Sequence, residues 1–297
     1  MGNASGSTVD SSESSLQSDS GAFDEINAYS LLALYVFLAL VVYLIAVYRR
    51  ESHRRDEVER AIRRARAGRD RKCRTILFVI AHPDDECMFF APSILTLNSN
   101  PDTVVHILCL SNGDYDGKGC EREKELEGSC AILGISACNV TILNKSELQD
   151  DPNVLWDEDI VGKHVLHQVV KCDAQMIITF DEDGISSHPN HIAAYRGVRK
   201  LVVERKLPSG VRAFSLESIH ILRRFVSFLE IPVSFVLSAI RGSKVLVLSP
   251  NGVLRAQRAM KAHASQFVWF RRLNIIFSRY LVINSISSIT VNSPEVR

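Results

Sequence analysis

Thr75-Ile76-Leu77-Phe78-Val79-Ile80 runs without a break into Ala81-His82-Pro83-Asp84-Asp85-Glu86. The first six residues, rich in Ile, Val and Phe, read as a strand buried on both faces. The next six set one imidazole and three carboxylates at the C-terminal end of that strand. In α/β proteins this is the end that carries the chemistry. Burying such groups without partners or a metal is costly, so the cluster demands a function.

Downstream the same pattern repeats. Residues 104–110 form a second buried strand, ending in the Gly-rich 111–119. Residues 120–133 read as a helix stopped by Gly134, 139–143 as a short strand, and 156–172 as an amphipathic helix. Residues 175–180 are a further buried strand, followed by the polar 181–191. Alternation of this kind predicts an α/β fold, a Rossmann-like, mostly parallel sheet with helices on both faces. Gly113, Gly117 and Gly119 form neither G-x-G-x-x-G nor a P-loop, so they argue for close passage of the loop past a substrate rather than nucleotide binding. Asp181, Glu182 and Asp183 read either as support behind the site or as a solvated loop, and the solvated loop is the favoured reading.

Upstream, residues 28–48 are 21 residues without a charge, enough helix to cross a bilayer core. Residues 1–27 hold five acids and no Lys or Arg, whereas 49–74 hold twelve Lys or Arg against five acids. The expected organisation is a disordered acidic N-terminus (1–27), one transmembrane helix (28–48), a basic juxtamembrane segment (49–74) on an anionic leaflet, and a catalytic domain (75–297). The charge asymmetry puts that domain in the cytosol. A net charge of +1 argues against bulk nucleic-acid binding. Seven scattered cysteines without a C-x-x-C pair suit a reducing compartment. Residues 225–240 contain Glu230 and Pro232 and are too short to span a membrane. Residues 267–286 interleave aromatics with arginines in a way that suits an interface, with core packing the default for both stretches.

Strands closing at Ile80, Leu110 and Phe180 bring three polar loops to one sheet edge. His188 and His191, spaced i, i+3 behind Pro189, fall on one side of a first helical turn. Two imidazoles and a carboxylate suffice for a catalytic zinc with an open position, and iron or cobalt would bind the same set. A further carboxylate can serve as general base and a further imidazole as acid or oxyanion stabiliser. This is the inventory of a metal-dependent amide hydrolase.

His82-Pro83-Asp84-Asp85-Glu86 with His188-Pro189-Asn190-His191 resembles the LmbE-like family of zinc-dependent sugar de-N-acetylases. Residues 260–266, Val268-Trp269-Phe270-Arg271 and Phe277-Ser278-Arg279-Tyr280 resemble its eukaryotic branch. The likeness spans roughly residues 75–290. It implies zinc held by His82, Asp85 and His191, Asp84 as general base, and His188 facing the tetrahedral intermediate. It also implies Arg122 and His263 at the substrate, His263 without an assigned role there. The implied substrate is a glycolipid at the endoplasmic reticulum membrane, N-acetylglucosaminyl-phosphatidylinositol. Its de-N-acetylation to glucosaminyl-phosphatidylinositol and acetate is the second step of glycosylphosphatidylinositol anchor synthesis. The rivals are a deacetylase of another N-acetyl sugar or amide, and a membrane-tethered scaffold with a decayed site. Against the scaffold, none of His82, Asp84, Asp85 and His191 is missing.

Overall fold

The computed structural model describes residues 29–45, 49, 73–151, 153–241 and 244–292. The acidic 1–27 segment and most of the basic 49–74 segment lie outside the described residues. Residues 29–45 form helix α1. Among the described residues no helix is long and apolar enough to cross a membrane, and residues 28 and 46–48 of the expected span lie outside them.

Strand β1 (Arg74–Ile80) runs through the middle of a seven-stranded sheet. Its last five residues are all buried, which is why the run is apolar without alternation. It is followed by the one-turn helix α2 (Asp85–Met88), α3 (Ala91–Asn98), β2 (Thr103–Cys109), α4 (Gly119–Leu133) and β3 (Val140–Ile142). Next come α5 (Glu158–Lys171), β4 (Met176–Phe180), the short α6 (Gly184–Ser187), α7 (Pro189–Val203) and β5 (Arg212–Leu216). The remainder is α8 (Ile221–Arg224), α9 (Glu230–Arg241), β6 (Lys244–Leu248), α10 (Val253–Ala262), α11 (Trp269–Phe277) and β7 (Ile283–Ser288).

The sheet order is β3-β2-β1-β4-β5-β7-β6. β1 to β5 are parallel, with Ile80 opposite Cys109 and Ile76 opposite Met176. β7 runs antiparallel between β5 and β6. The chain winds outward from β1 through β2 to β3, then restarts on the other side with β4. The loops after β1 and β4 therefore diverge and leave a crevice at the strand ends, where α/β proteins bind ligands.

The α/β alternation expected for residues 75–191 is present, with small shifts at element ends. Helix α5 begins at Glu158 because Asp157 accepts hydrogen bonds from the Asp159 and Ile160 amides as its N-cap. Gly134 ends α4 at φ 87°. Helices α5 and α7 lie close together, and a Cβ on Gly197 would fall 2.5 Å from Val161. Core packing, the default for 225–240 and 267–286, holds at Ile231 and through residues 278–286, all buried, and the structure differs from it along α9 and α11. Helix α11 buries Asn274 and Ile275 and exposes Trp269, Phe270, Leu273, Ile276 and Phe277. Helix α9 likewise exposes Phe235, Val236 and Ile240. Helix α1 lies against this region. The Tyr35 hydroxyl donates to the Leu229 carbonyl, Ala39 is fully buried, and the Tyr43 and Phe228 rings are 6.0 Å apart. All seven cysteines are free thiols.

Candidate active site

The loop after β1 is built to present side chains. Asp84 takes φ 116°, sparsely populated for a non-glycine residue and of the kind that clusters at functional sites. Asp85 turns back, and its Oδ2 accepts from the amides of Ala81 (3.0 Å) and His82 (2.9 Å). Its Oδ1 lies 3.2 Å from His191 Nε2. Burial works against the Asp85 charge, yet His191, His82 and the amide bonds hold its carboxyl well below the usual range.

His191 is locked from every side. Its imidazole stacks on Phe180 with centroids 3.9 Å apart and planes 2° from parallel. Its Nδ1 donates to the Gly184 carbonyl at 3.1 Å, the contact by which proteins fix the tautomer of a metal-ligating histidine. That leaves Nε2 facing Asp85. The ring nitrogens of His82, His188 and His191 come within 4.8 Å of one another, and both His82 and His191 are buried. These donors fit a divalent cation. The sequence-derived set of His82, Asp85 and His191 and the geometric set of His82, His188 and His191 share two members, and they differ in whether Asp85 or His188 is the third.

His188 caps α7, its Nδ1 accepting from the Asn190 amide at 3.3 Å. Burial, and then the neighbouring His191 and His82, push its pKa down to about 4. It is therefore neutral at pH 7, and because Nδ1 accepts, its proton sits on Nε2. Asp84 is buried with its Oδ2 2.7 Å from Arg271, an ion pair without a well-directed hydrogen bond. Burial raises its pKa despite Arg271.

His82, Asp84, Asp85, His188, His191 and Arg271 line one cavity of about 490 Å³. Glu86 lies beneath it, fully buried. Its Oε2 accepts from the Asp84 amide at 3.1 Å, and its Oε1 accepts from Ser129 and sits 2.8 Å from His263 Nε2. Burial raises the Glu86 pKa and lowers that of His263, but their pairing leads the opposing effects, and the net shift is downward for Glu86 and upward for His263. His263 was expected at the substrate and is corrected here. It is 0% exposed, does not line the cavity, and supports the Asp84 loop through Glu86. Arg122 does line the cavity, yet its guanidinium already donates to the carbonyls of Gly113 (2.8 Å) and Pro83 (2.9 Å). Gly113, at φ 74°, is what makes room, since a Cβ there would sit 2.3 Å from that guanidinium.

The reading of Asp181 as solvated is also corrected. It is buried, its two carboxylate oxygens accept from the Ser218 amide and hydroxyl, and Ser218 Oγ in turn accepts from the Ile185 amide at 2.6 Å. Ile185 holds φ 64°, an outlier for a β-branched residue. This network therefore pins the strained turn whose Gly184 carbonyl orients His191.

Asp150 was not anticipated. It lies 3.2 Å from His82 Nε2 and 3.3 Å from Arg122, and lines the cavity. Burial lowers the pKa of His82, but the bond to Asp150 and the charge of Asp85 outweigh it and the net shift is upward. A signal existed: Asp150 follows β3, whose C-terminal loop opens on the same edge as the other three. Arg224, also unanticipated, lines the cavity with Arg271. A larger groove of about 960 Å³ along α5 and α7 contains none of these groups.

The fold is that of the LmbE-like deacetylases, and the clustered donors are ones that could hold a metal ion. The same fold occurs in N,N'-diacetylchitobiose deacetylase from Pyrococcus horikoshii, with a TM-score of 0.52 at 15% identity over 73% of this chain and 84% of that one. The sequence narrows the class. The family described as PIG-L: GlcNAc-PI de-N-acetylase matches residues 77–202. N-acetylglucosaminyl-phosphatidylinositol de-N-acetylase from Bos taurus is 42% identical over 77% of this chain and 89% of its own length. A probable enzyme of the same name from Schizosaccharomyces pombe is 41% identical over 73% and 87%. The chain belongs to the N-acetylglucosaminyl-phosphatidylinositol de-N-acetylase family.

Proposed function

We propose that the protein is a membrane-anchored, metal-dependent hydrolase. It would remove the acetyl group from N-acetylglucosaminyl-phosphatidylinositol, giving glucosaminyl-phosphatidylinositol and acetate. The observation that carries this reading is the convergence of Asp84, Asp85 and three imidazoles on one cavity, in a chain whose relatives bear that enzyme's name.

In this reading His82, Asp85 and His191 hold the metal, zinc by preference of the donor set. A divalent cation there supplies a Lewis acid that polarises the acetyl carbonyl and makes a water molecule more acidic. Asp84 takes the proton of the attacking water. Its raised pKa lets it keep that proton and pass it to the amine as the C–N bond breaks. His188, neutral with its proton on Nε2, donates to the oxygen that gains charge. Arg122 shapes the wall between the loops after β1 and β2. Asp150 orients His82 as carboxylates orient ligating imidazoles.

The anchor is residues 28–48, with 49–74 along the anionic cytosolic leaflet of the endoplasmic reticulum membrane and 75–297 as the catalytic domain. The exposed apolar face of α11, bearing Arg271 and Arg272 and no acid, supports a bilayer contact beside the cavity. The test is an assay on membranes with the glycolipid. Chelation should abolish acetate release and zinc should restore it, and activity that survives chelation refutes the metal-dependent reading.

A further inference from the structure

Arg224 ends α8 and lines the same cavity as His82, Asp84 and His191. Its guanidinium carbon lies over three aromatic rings, 5.6 Å from the Phe89 centroid, 5.5 Å from Phe225 and 5.8 Å from Tyr280. None of these neutralises it. The Tyr280 hydroxyl is engaged elsewhere, donating to the Glu217 carbonyl and accepting from the Ile219 amide, each at 3.0 Å. Among the described residues Arg224 has no acidic partner. The adjacent Arg223 takes Glu230, and Arg271 takes Asp84. The Arg224 Nε is buried without a hydrogen bond.

A half-buried guanidinium with unused donors is costly, and ring faces offset only part of that cost. Such a group is matched by an anion with several acceptor oxygens. Phosphate is the best fit, because the planar fork binds two of its oxygens at once. Position agrees with this. Phe89 stands between Arg224 and His191, its ring 5.8 Å from the imidazole. An anion on Arg224 would sit one aromatic ring away from the reacting amide, a reach that a hexosamine joined to a cyclitol spans.

We propose that Arg224 binds the phosphodiester of the substrate and makes the enzyme selective for anionic N-acetylhexosamine conjugates over neutral ones. This rests on the deacetylase reading above. The rival is a purely structural role, in which Arg224 does no more than clamp Phe89, Phe225 and Tyr280 together.

The experiment uses the full-length, zinc-loaded protein in detergent micelles with two synthetic substrates. Both are N-acetylglucosaminyl-inositols with the same alkyl chain, one joined through a phosphodiester and the other through an uncharged ether. In the wild type the phosphodiester should be preferred. Arg224→Met should lower kcat/KM on the phosphodiester about 10- to 100-fold, mainly through KM, and change the ether by less than about three-fold. Arg224→Lys, which keeps the charge and loses the fork, should fall between. The ether substrate also reports folding of each variant. Equal losses on both substrates would show that Arg224 only packs rings, and no loss on either would equally overturn the inference. A wild type that turns over neither substrate would instead remove the deacetylase reading, and the inference with it.

Discussion

Asp84 does two things at once: it carries the carboxylate proposed as base, and it bends the backbone so that Asp85 faces the other way. Asp84→Asn keeps the size and removes the basicity. Turnover should fall by about 10²- to 10⁴-fold while bound zinc, measured by elemental analysis, stays at the wild-type level. Loss of zinc in that variant would move Asp84 into the ligand set. The same measurement decides between Asp85 and His188 as third ligand. Asp85→Ala should lose zinc, whereas His188→Ala should keep it and lose only rate. The reverse pattern would favour the three-imidazole set that the distances also allow. At this scale the HPDDE cluster and the HxxH pair were legible, because their residue types have few other reasons to stand at strand ends. Arg224 and Arg271 were not, since each joins the site only through a helix brought in by tertiary packing, while for Asp150 the signal was no more than its place after β3.

Among the elements, the turn between β4 and α7 shows how a scaffold stores strain. Ile185 at φ 64° is held by Ser218, and Ser218 by Asp181. Burial pushes the Asp181 carboxyl up from 3.8 to about 6, with the Ser218 bonds opposing. A raised carboxyl pKa means that folding favours the protonated form. Its contribution is complete below pH 3.8 and is lost as pH rises through about 6, by about 3 kcal/mol for a shift of this size. Melting temperature followed between pH 4 and 7 should therefore show a downward step that is absent in Asp181→Asn. A flat wild-type profile would count against the shift. The polar run of residues 181–183 looked solvated because nothing in its own sequence announces Ser218 as a partner 37 residues away. Strand β7 was missed for a related reason. Ile283-Asn284-Ser285-Ile286 is half polar yet wholly buried, its Asn284 satisfied by Ser93 and by the Phe89 carbonyl. Hydrophobic periodicity cannot register buried polar groups that find partners only in the folded chain. The central parallel strands, apolar from end to end, were plain.

For the molecule as a whole, the question is how an α/β domain meets a lipid. Exposed aromatics and arginines of α11 lie beside the cavity mouth, where Phe270 and Arg271 are shared by both surfaces. The protein has two tryptophans, Trp156 buried and Trp269 exposed. In protein reconstituted into anionic vesicles, lipids brominated near the head-group end of their chains should quench the Trp269 emission. Trp269→Phe should abolish the quenchable fraction. Quenching that is equal in the wild type and Trp269→Phe would place α11 away from the bilayer.

The buried pair of Glu86 and His263 sets a timetable. The two residues are 177 positions apart, so at ordinary synthesis rates the ribosome delivers the second roughly 10 to 35 s after the first. Through that interval the β1 loop must either leave the Glu86 carboxylate in water or bury it unmatched, and the second is the costlier course. The catalytic loop would then be among the last parts of the chain to set, and it would wait for α10 to emerge. Ribosome-stalled chains ending at residue 255 should remain open to protease cleavage near Asp84, and chains long enough to release His263 should become resistant there.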